Sequence, residues 1–284
     1  MAKIERQKRI YRKRIPYGMQ NFEDVMERDC YYVDKTPFIE KIFFLEESNM
    51  YFFFIRPRRF GKSLTLSMLE NYYDINKKDK FESLFGKLYI GENPTPERNS
   101  YLILHLNFAM ISAGLDNYKK GLDAHCNNKF NSFCSRYAHL LPPDIKEEMN
   151  QKEDAVAQLG FLCDKCAEAG LKIYLFIDEY DHFTNQILAH KEHEKRYREQ
   201  THGEGYLRHF FDTIKGAAGD SLGRVFVTGV SPVTMDDLTS GFNIGTNYSL
   251  SPEFNEMVGF TEEEVRQMLL ITPACCHSAI AWMS

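Results

Sequence analysis

Between residues 51 and 73 the chain changes character once, and abruptly. Tyr51-Phe-Phe-Phe-Ile55 is a continuous apolar run, the pattern of a strand covered on both faces. It stops at Arg56-Pro57-Arg58-Arg59. From Gly61 to about Tyr73, the residues Leu64, Leu66, Met68, Leu69 and Tyr72 make helical material. A buried strand that passes through a short loop into a helix is half of a strand–helix–strand unit, and such units build parallel sheets. The same alternation continues downstream. Tyr101–Phe108, Leu171–Ile177 and Arg224–Thr228 read as strands, and Tyr248-Ser-Leu250 as a weaker one. Residues from about Asn117 to Leu140, Asp154 to Ala169 and Tyr206 to Ala217 read as helices. Pro142-Pro143 ends the first of these, and Gly170 caps the second. Thr261-Glu-Glu-Glu264 is a capping box that opens a helix from Glu262 to Leu270. Together these predict an α/β fold whose parallel sheet is covered by helices.

Composition supports a large core: 43% of residues are hydrophobic, with 16 Tyr and 22 Phe. No apolar run approaches the roughly 20 residues that span a bilayer, and the N-terminus lacks a secretory apolar segment. The expectation is a cytoplasmic protein with no membrane partner. A net charge of −5 argues against bulk-electrostatic coating of nucleic acid. Residues 1–14 nevertheless form a basic arm, with Lys3, Arg6, Lys8, Arg9, Arg12, Lys13 and Arg14 against Glu5. It reads as a solvated chain end or as a contact for nucleic acid or another partner. Seven cysteines form no disulfide framework, which fits a reducing compartment. Cys163 and Cys166 have C-x-x-C spacing but lie in helical sequence with no second pair, so they read as half-buried helix residues.

The loop itself carries chemistry. Phosphates are held by converging backbone N–H groups, a helix N-terminus and a cation. The general spelling is G-x-x-x-x-G-K-[ST] between a strand and a helix. Here the window is Arg56, Pro57, Arg58, Arg59, Phe60, Gly61, Lys62 and Ser63, followed by Leu64. Its last three motif positions match, while Arg56 stands where the first glycine is expected. Lys62 is placed to neutralise the β and γ phosphates of ATP, and Ser63 to ligate magnesium. Leu171–Ile177 then runs into Asp178-Glu179, which supplies a carboxylate for magnesium in Asp178 and a second carboxylate, the candidate general base, in Glu179. Thr228, at the end of the Arg224–Thr228 strand, or Ser231 just after it fits a polar sensor of the γ-phosphate. The other reading is a hydroxyl in a tight turn.

With these residues in place the sequence resembles the AAA-ATPase-like proteins of bacteria. The resemblance rests on Ile15-Pro16-Tyr17-Gly18 with Phe22, on Tyr32-Val-Asp-Lys-Thr36, and on Arg56-Pro-Arg-Arg-Phe-Gly-Lys-Ser63. It continues through Leu175-Phe-Ile-Asp-Glu-Tyr-Asp181 to Val227-Thr-Gly-Val-Ser-Pro232 and spans residues 15–270. In that group Arg56 is the usual first residue of the loop. The resemblance implies a P-loop NTPase with sheet order 5-1-4-3-2, taking residues 51–55, 101–108, 171–177, 224–228 and 246–250 as strands one to five. It implies ATP and magnesium as cofactors and a nucleotide-driven switch as the role. Asp34 and Lys35 read either as neighbours of the nucleotide base or as a surface turn capping the next helix. Arg58 and Arg59 read as phosphate contacts or as solvated residues.

Such proteins usually continue into a PD-(D/E)XK nuclease-like domain. Residues 271–284 do not follow the group's pattern, with Pro273, adjacent Cys275 and Cys276, and Trp282. The expectation is a truncated or frameshifted tail. Two other roles stay open from sequence: a nucleic-acid-processing ATPase and a nucleotide-binding scaffold that does not hydrolyse.

Overall fold

Alternation along each strand sorts the core into two layers of different chemistry. The computed structural model describes residues 13–46, 50–111, 118–182, 205–231 and 246–271. Most of the basic arm, the polar stretch 190–203 and residues 272–284 lie outside them. Five parallel strands form one sheet: β1 (Tyr51–Ile55), β2 (Leu102–Asn107), β3 (Ile173–Asp178), β4 (Leu222–Gly229) and β5 (Thr246–Asn247). Their spatial order is β2-β3-β4-β1-β5, which is the expected 5-1-4-3-2 read from the other edge.

On one face, Phe53, Leu104, Leu175 and Val227 meet α6 (Tyr118–Arg136), α7 (Ile145–Asn150), α8 (Ala155–Glu168) and α9 (Tyr206–Gly216). On the other face, Phe52, Phe54, Ile103, Tyr174, Phe176 and Phe226 meet a mostly N-terminal set of helices. These are α1 (Phe22–Glu27), α2 (Pro37–Glu46), α3 (Lys62–Tyr73), α4 (Phe81–Phe85) and α5 (Tyr89–Glu92). This second layer is aromatic. Tyr174 stacks on Phe176 at 4.3 Å between ring centroids, and Phe52 stacks on Tyr248 at 4.6 Å. Offset stacking of this kind adds about 0.5–1.5 kcal/mol per pair beyond area burial. A final helix, α10 (Glu262–Ile271), follows the core.

Several elements depart from expectation for local reasons. The fifth strand covers only Thr246–Asn247, because residues 248–250 turn into a 3-10 helix. The Asn247 side chain accepts the Ser249 N–H at 3.0 Å, a local bond that competes with the strand ladder. β4 is longer than its apolar run and begins at Leu222. α6 stops at Arg136, ahead of the two prolines. Cys163 and Cys166 are fully buried rather than half-buried, and burial pushes their thiols up to about 11 and about 12. Those thiols stay protonated and unreactive at neutral pH. Among the described residues no helix is long and apolar enough to cross a membrane.

Candidate nucleotide site

Because the strands are parallel, Ile55, Asn107, Asp178 and Gly229 all arrive at one edge of the sheet. Loops that leave this edge are where ligands bind in open α/β sheets. The first such loop runs from Arg56 to Gly61 and caps the N-terminus of α3. Arg59 and Gly61 both adopt left-handed backbone, with φ of 68° and 90°. At Gly61 that conformation carries no Cβ penalty. A loop bent this way turns backbone N–H groups toward one concavity and, with the α3 dipole, favours an anion.

Lys62 is buried, and its ammonium donates to the loop carbonyls of Arg56 (2.9 Å) and Pro57 (3.0 Å). Burial lowers its pKa, while the carboxylates of Glu179, Asp178 and Asp181 oppose that shift. Arg56 contributes through its backbone. Its guanidinium donates to the Ser249 carbonyl and lies 4.5 Å over the Phe54 ring. Pro57, Arg58, Arg59 and Phe60 are exposed, and Leu64 is half-buried against the aromatic layer.

Ser63 and Asp178 line one pocket, together with Ser67 and Glu70 of α3, His105 and Asn107 of β2, and Gln20 and Asn21. Asp178 is 2% exposed. One of its oxygens accepts the Glu179 N–H at 2.9 Å, and the other accepts the Asn107 amide at 3.2 Å. Burial pushes its carboxyl above the ordinary value, and Glu179 pushes the same way; His105, the Glu179 N–H and Lys62 oppose them. A serine hydroxyl and a carboxylate are hard oxygen donors, suited to magnesium that keeps water and phosphate oxygens as its other ligands. Across the pocket, His105 Nδ1 lies 2.5 Å from Glu70 Oε1.

Glu179 is half-buried with φ of 52°, a conformation that costs a non-glycine residue on the order of 1–2 kcal/mol. Backbone strain of this kind collects where a side chain must be aimed. Thr228, on the α3 face of β4, is buried, and its hydroxyl donates to the Phe54 carbonyl at 2.7 Å. Its proton is therefore engaged between β4 and β1. Ser231 lies beyond the strand end, half-buried.

A family model described as Predicted AAA-ATPase matches residues 16–239. The chain belongs to that family. A protein of Azotobacter chroococcum mcd 1, described as an uncharacterized protein in the vnfD 5' region, is 30% identical over 264 residues. That match covers 89% of this chain and 44% of the relative, so the chain spans under half the length of that curated protein. Among solved structures, Cdc6p from Pyrobaculum aerophilum aligns over 93% of this chain and 51% of its own, at 11% identity and a TM-score of 0.32.

Sequence reading did not single out Asn107, His105 or Glu70 as neighbours of Asp178. The signal for Asn107 was its place at the end of an apolar strand, the position Asp178 occupies one strand over. Asp34 takes the turn reading. Its carboxylate accepts the Thr36 N–H at 2.9 Å ahead of α2 and the Tyr89 N–H at 2.8 Å at the start of α5. Lys35 reaches Glu264 at 2.7 Å. Glu264 also closes the capping box, accepting the Thr261 N–H at 2.8 Å.

Proposed function

We propose that residues 15–270 form a magnesium-dependent ATPase module that acts as a nucleotide-driven switch. The observation that carries this reading is the meeting of Ser63 and Asp178 in one pocket, with Glu179 next in sequence in a strained, aimed conformation. Lys62 exchanges the Arg56 and Pro57 carbonyls for phosphate oxygens of ATP. Arg58, Arg59 and the backbone of the loop surround the triphosphate. Ser63 and Asp178 would hold magnesium, and the ion would supply charge neutralisation at the phosphates. The Glu179 carboxylate takes a proton from the water that attacks the γ-phosphorus, and ADP leaves with the bridging oxygen. Ser231, just beyond the C-terminal end of β4, serves as the γ-phosphate sensor in this reading. The five cysteines among the described residues are free and buried, which supports a reducing, cytoplasmic setting.

Calorimetric ATP titration and phosphate-release kinetics test the proposal. Lys62→Ala is expected to abolish ATP binding while leaving the fold intact. Glu179→Gln is expected to keep ATP bound and slow hydrolysis by about 10²-fold or more, the scale of a lost general base. Wild-type ATP affinity in Lys62→Ala would remove the phosphate-loop assignment. ATP binding by the unmodified chain without phosphate release would make it a scaffold instead.

A further inference from the structure

The residue two positions beyond Glu179 has a fully buried carboxylate for which the mechanism above has no use. Asp181 sits where the β3 loop passes under the loop that follows β4. It accepts the Val230 N–H on both oxygens at 3.1 Å, and the Ser231 N–H on one of them at 2.6 Å. Tyr180, also buried, joins the same two loops twice. Its N–H donates to the Thr228 carbonyl at 3.2 Å and its hydroxyl to the Ser231 carbonyl at 2.7 Å. Gly229 completes the arrangement. A Cβ there would meet the Tyr180 ring at 2.6 Å and the Asp181 carboxylate as well.

We propose that Asp181 is a positioning residue: with Tyr180 it clamps the loop carrying Glu179 to the loop carrying Ser231, so that base and sensor are held as one unit. This rests on the ATPase reading above. The physical case is that Glu179 holds an unfavourable φ and needs its neighbours to keep it there. On its C-terminal side those neighbours are Tyr180 and Asp181, both anchored to β4 and the residues after it. Backbone N–H groups converging on a buried carboxylate make a rigid joint, since releasing them would leave both sides unsatisfied. Asn in place of Asp181 keeps an oxygen for both N–H groups, whereas Ala keeps none.

The test uses the full chain and two readouts: amide hydrogen exchange at Val230 and Ser231, and steady-state phosphate release with ATP affinity measured separately. In Asp181→Ala the two amides are expected to exchange at least about 10-fold faster, as local opening becomes easier. Its kcat is expected to fall about 10-fold or more with ATP affinity within about twofold, because a misplaced group costs rate rather than binding. Asp181→Asn is expected to restore both to within about threefold of wild type. Should Asp181→Ala not fold, Tyr180→Phe removes the hydroxyl bond to Ser231. It is expected to raise exchange there and lower kcat about threefold at unchanged ATP affinity. Unchanged amide protection in Asp181→Ala, or in Tyr180→Phe where that variant replaces it, overturns the clamp whether or not the wild type hydrolyses ATP. Equal loss of kcat in Asp181→Asn and Asp181→Ala also overturns it, since charge rather than geometry would then be at work. Absence of phosphate release by the wild type is a separate result and removes the ATPase reading.

Discussion

At the C-terminal end of α3 stands Asp74, and beside its N-terminal end stands Asp178, two carboxylates with almost no contact with solvent. Their surroundings differ in kind. Asp74 accepts the Asn76 N–H at 3.0 Å and the Tyr137 hydroxyl at 2.9 Å, and its other oxygen pairs with the Arg136 guanidinium. A carboxylate at a helix C-terminus is placed against the dipole, so the Arg136 cation offsets a real penalty. Among the described residues no such cation sits on the oxygens of Asp178. Its hydrogen-bond donors are a neutral amide and a backbone N–H, and burial raises its pKa. A buried carboxylate supplied with a cation and a hydroxyl holds a structure together. On the proposed reading, one supplied with neutral donors is held ready for a charge that arrives with a ligand.

The contrast breaks most visibly at Asp74. Asp74→Ala leaves the buried Tyr137 hydroxyl and the Asn76 N–H without their acceptor, while the exposed Arg136 side chain can turn to water, so a cost of about 2–4 kcal/mol is expected in urea unfolding. ATP affinity per folded molecule should not change. A loss below about 1 kcal/mol would put Asp74 in the same class as a surface pair. Next in size is Tyr137→Phe. The Tyr137 hydroxyl also accepts the Ile103 N–H at 2.8 Å, so its removal orphans groups on two elements. A cost of about 1–3 kcal/mol is expected from the same unfolding curves.

The smallest stability change belongs to Asp178→Asn, with a sign opposite to the others. A raised carboxyl pKa means the folded state favours the protonated form. That contribution is fully present below the unfolded pKa, near 3.8, and is lost as pH rises through the raised folded value. At pH 7 the uncharged Asn variant should therefore be as stable as wild type or slightly more so, by under about 1 kcal/mol, while magnesium-dependent ATP binding is lost. Magnesium-dependent binding by the wild type should weaken as pH falls through the Asp178 pKa. Titrations at several pH values, with and without magnesium, check both statements.

The two ends of α3 were not equally legible in the sequence. Gly61-Lys62-Ser63 and Asp178-Glu179 are local words: one opens a helix a short loop after an apolar run, the other ends an apolar run, and that context fixes where each goes. The sheet order was readable for the same reason, through the family resemblance those words carry. Asp74 has no such context. Its partners Arg136 and Tyr137 lie about sixty residues away, and only the packing of α6 on the sheet brings them to it. Asn107 and His105 were hidden differently. Both interrupt what reads as an ordinary apolar strand, and their meaning depends on the register Asn107↔Asp178. Tyr248–Leu250 misled because an aromatic flanked by polar residues looks like a strand, whereas the Asn247 side chain turns the chain locally.

One joint near the phosphate loop has a mechanical meaning. The Gly259 N–H donates to the Phe60 carbonyl at 2.9 Å, and Glu264, in the first turn of α10, is tied to Lys35. Helix α10 is thus pinned at its root to the loop that would meet the triphosphate, while its far end carries Leu270, 80% exposed. Ten residues of helix make an arm about 15 Å long. A tilt of about 10° at the pinned root would move the far end by about 3 Å, the width of a hydrogen bond. On the switch reading proposed above, a small rearrangement of Phe60 would be geared up into a displacement large enough to make or break a contact at the tip.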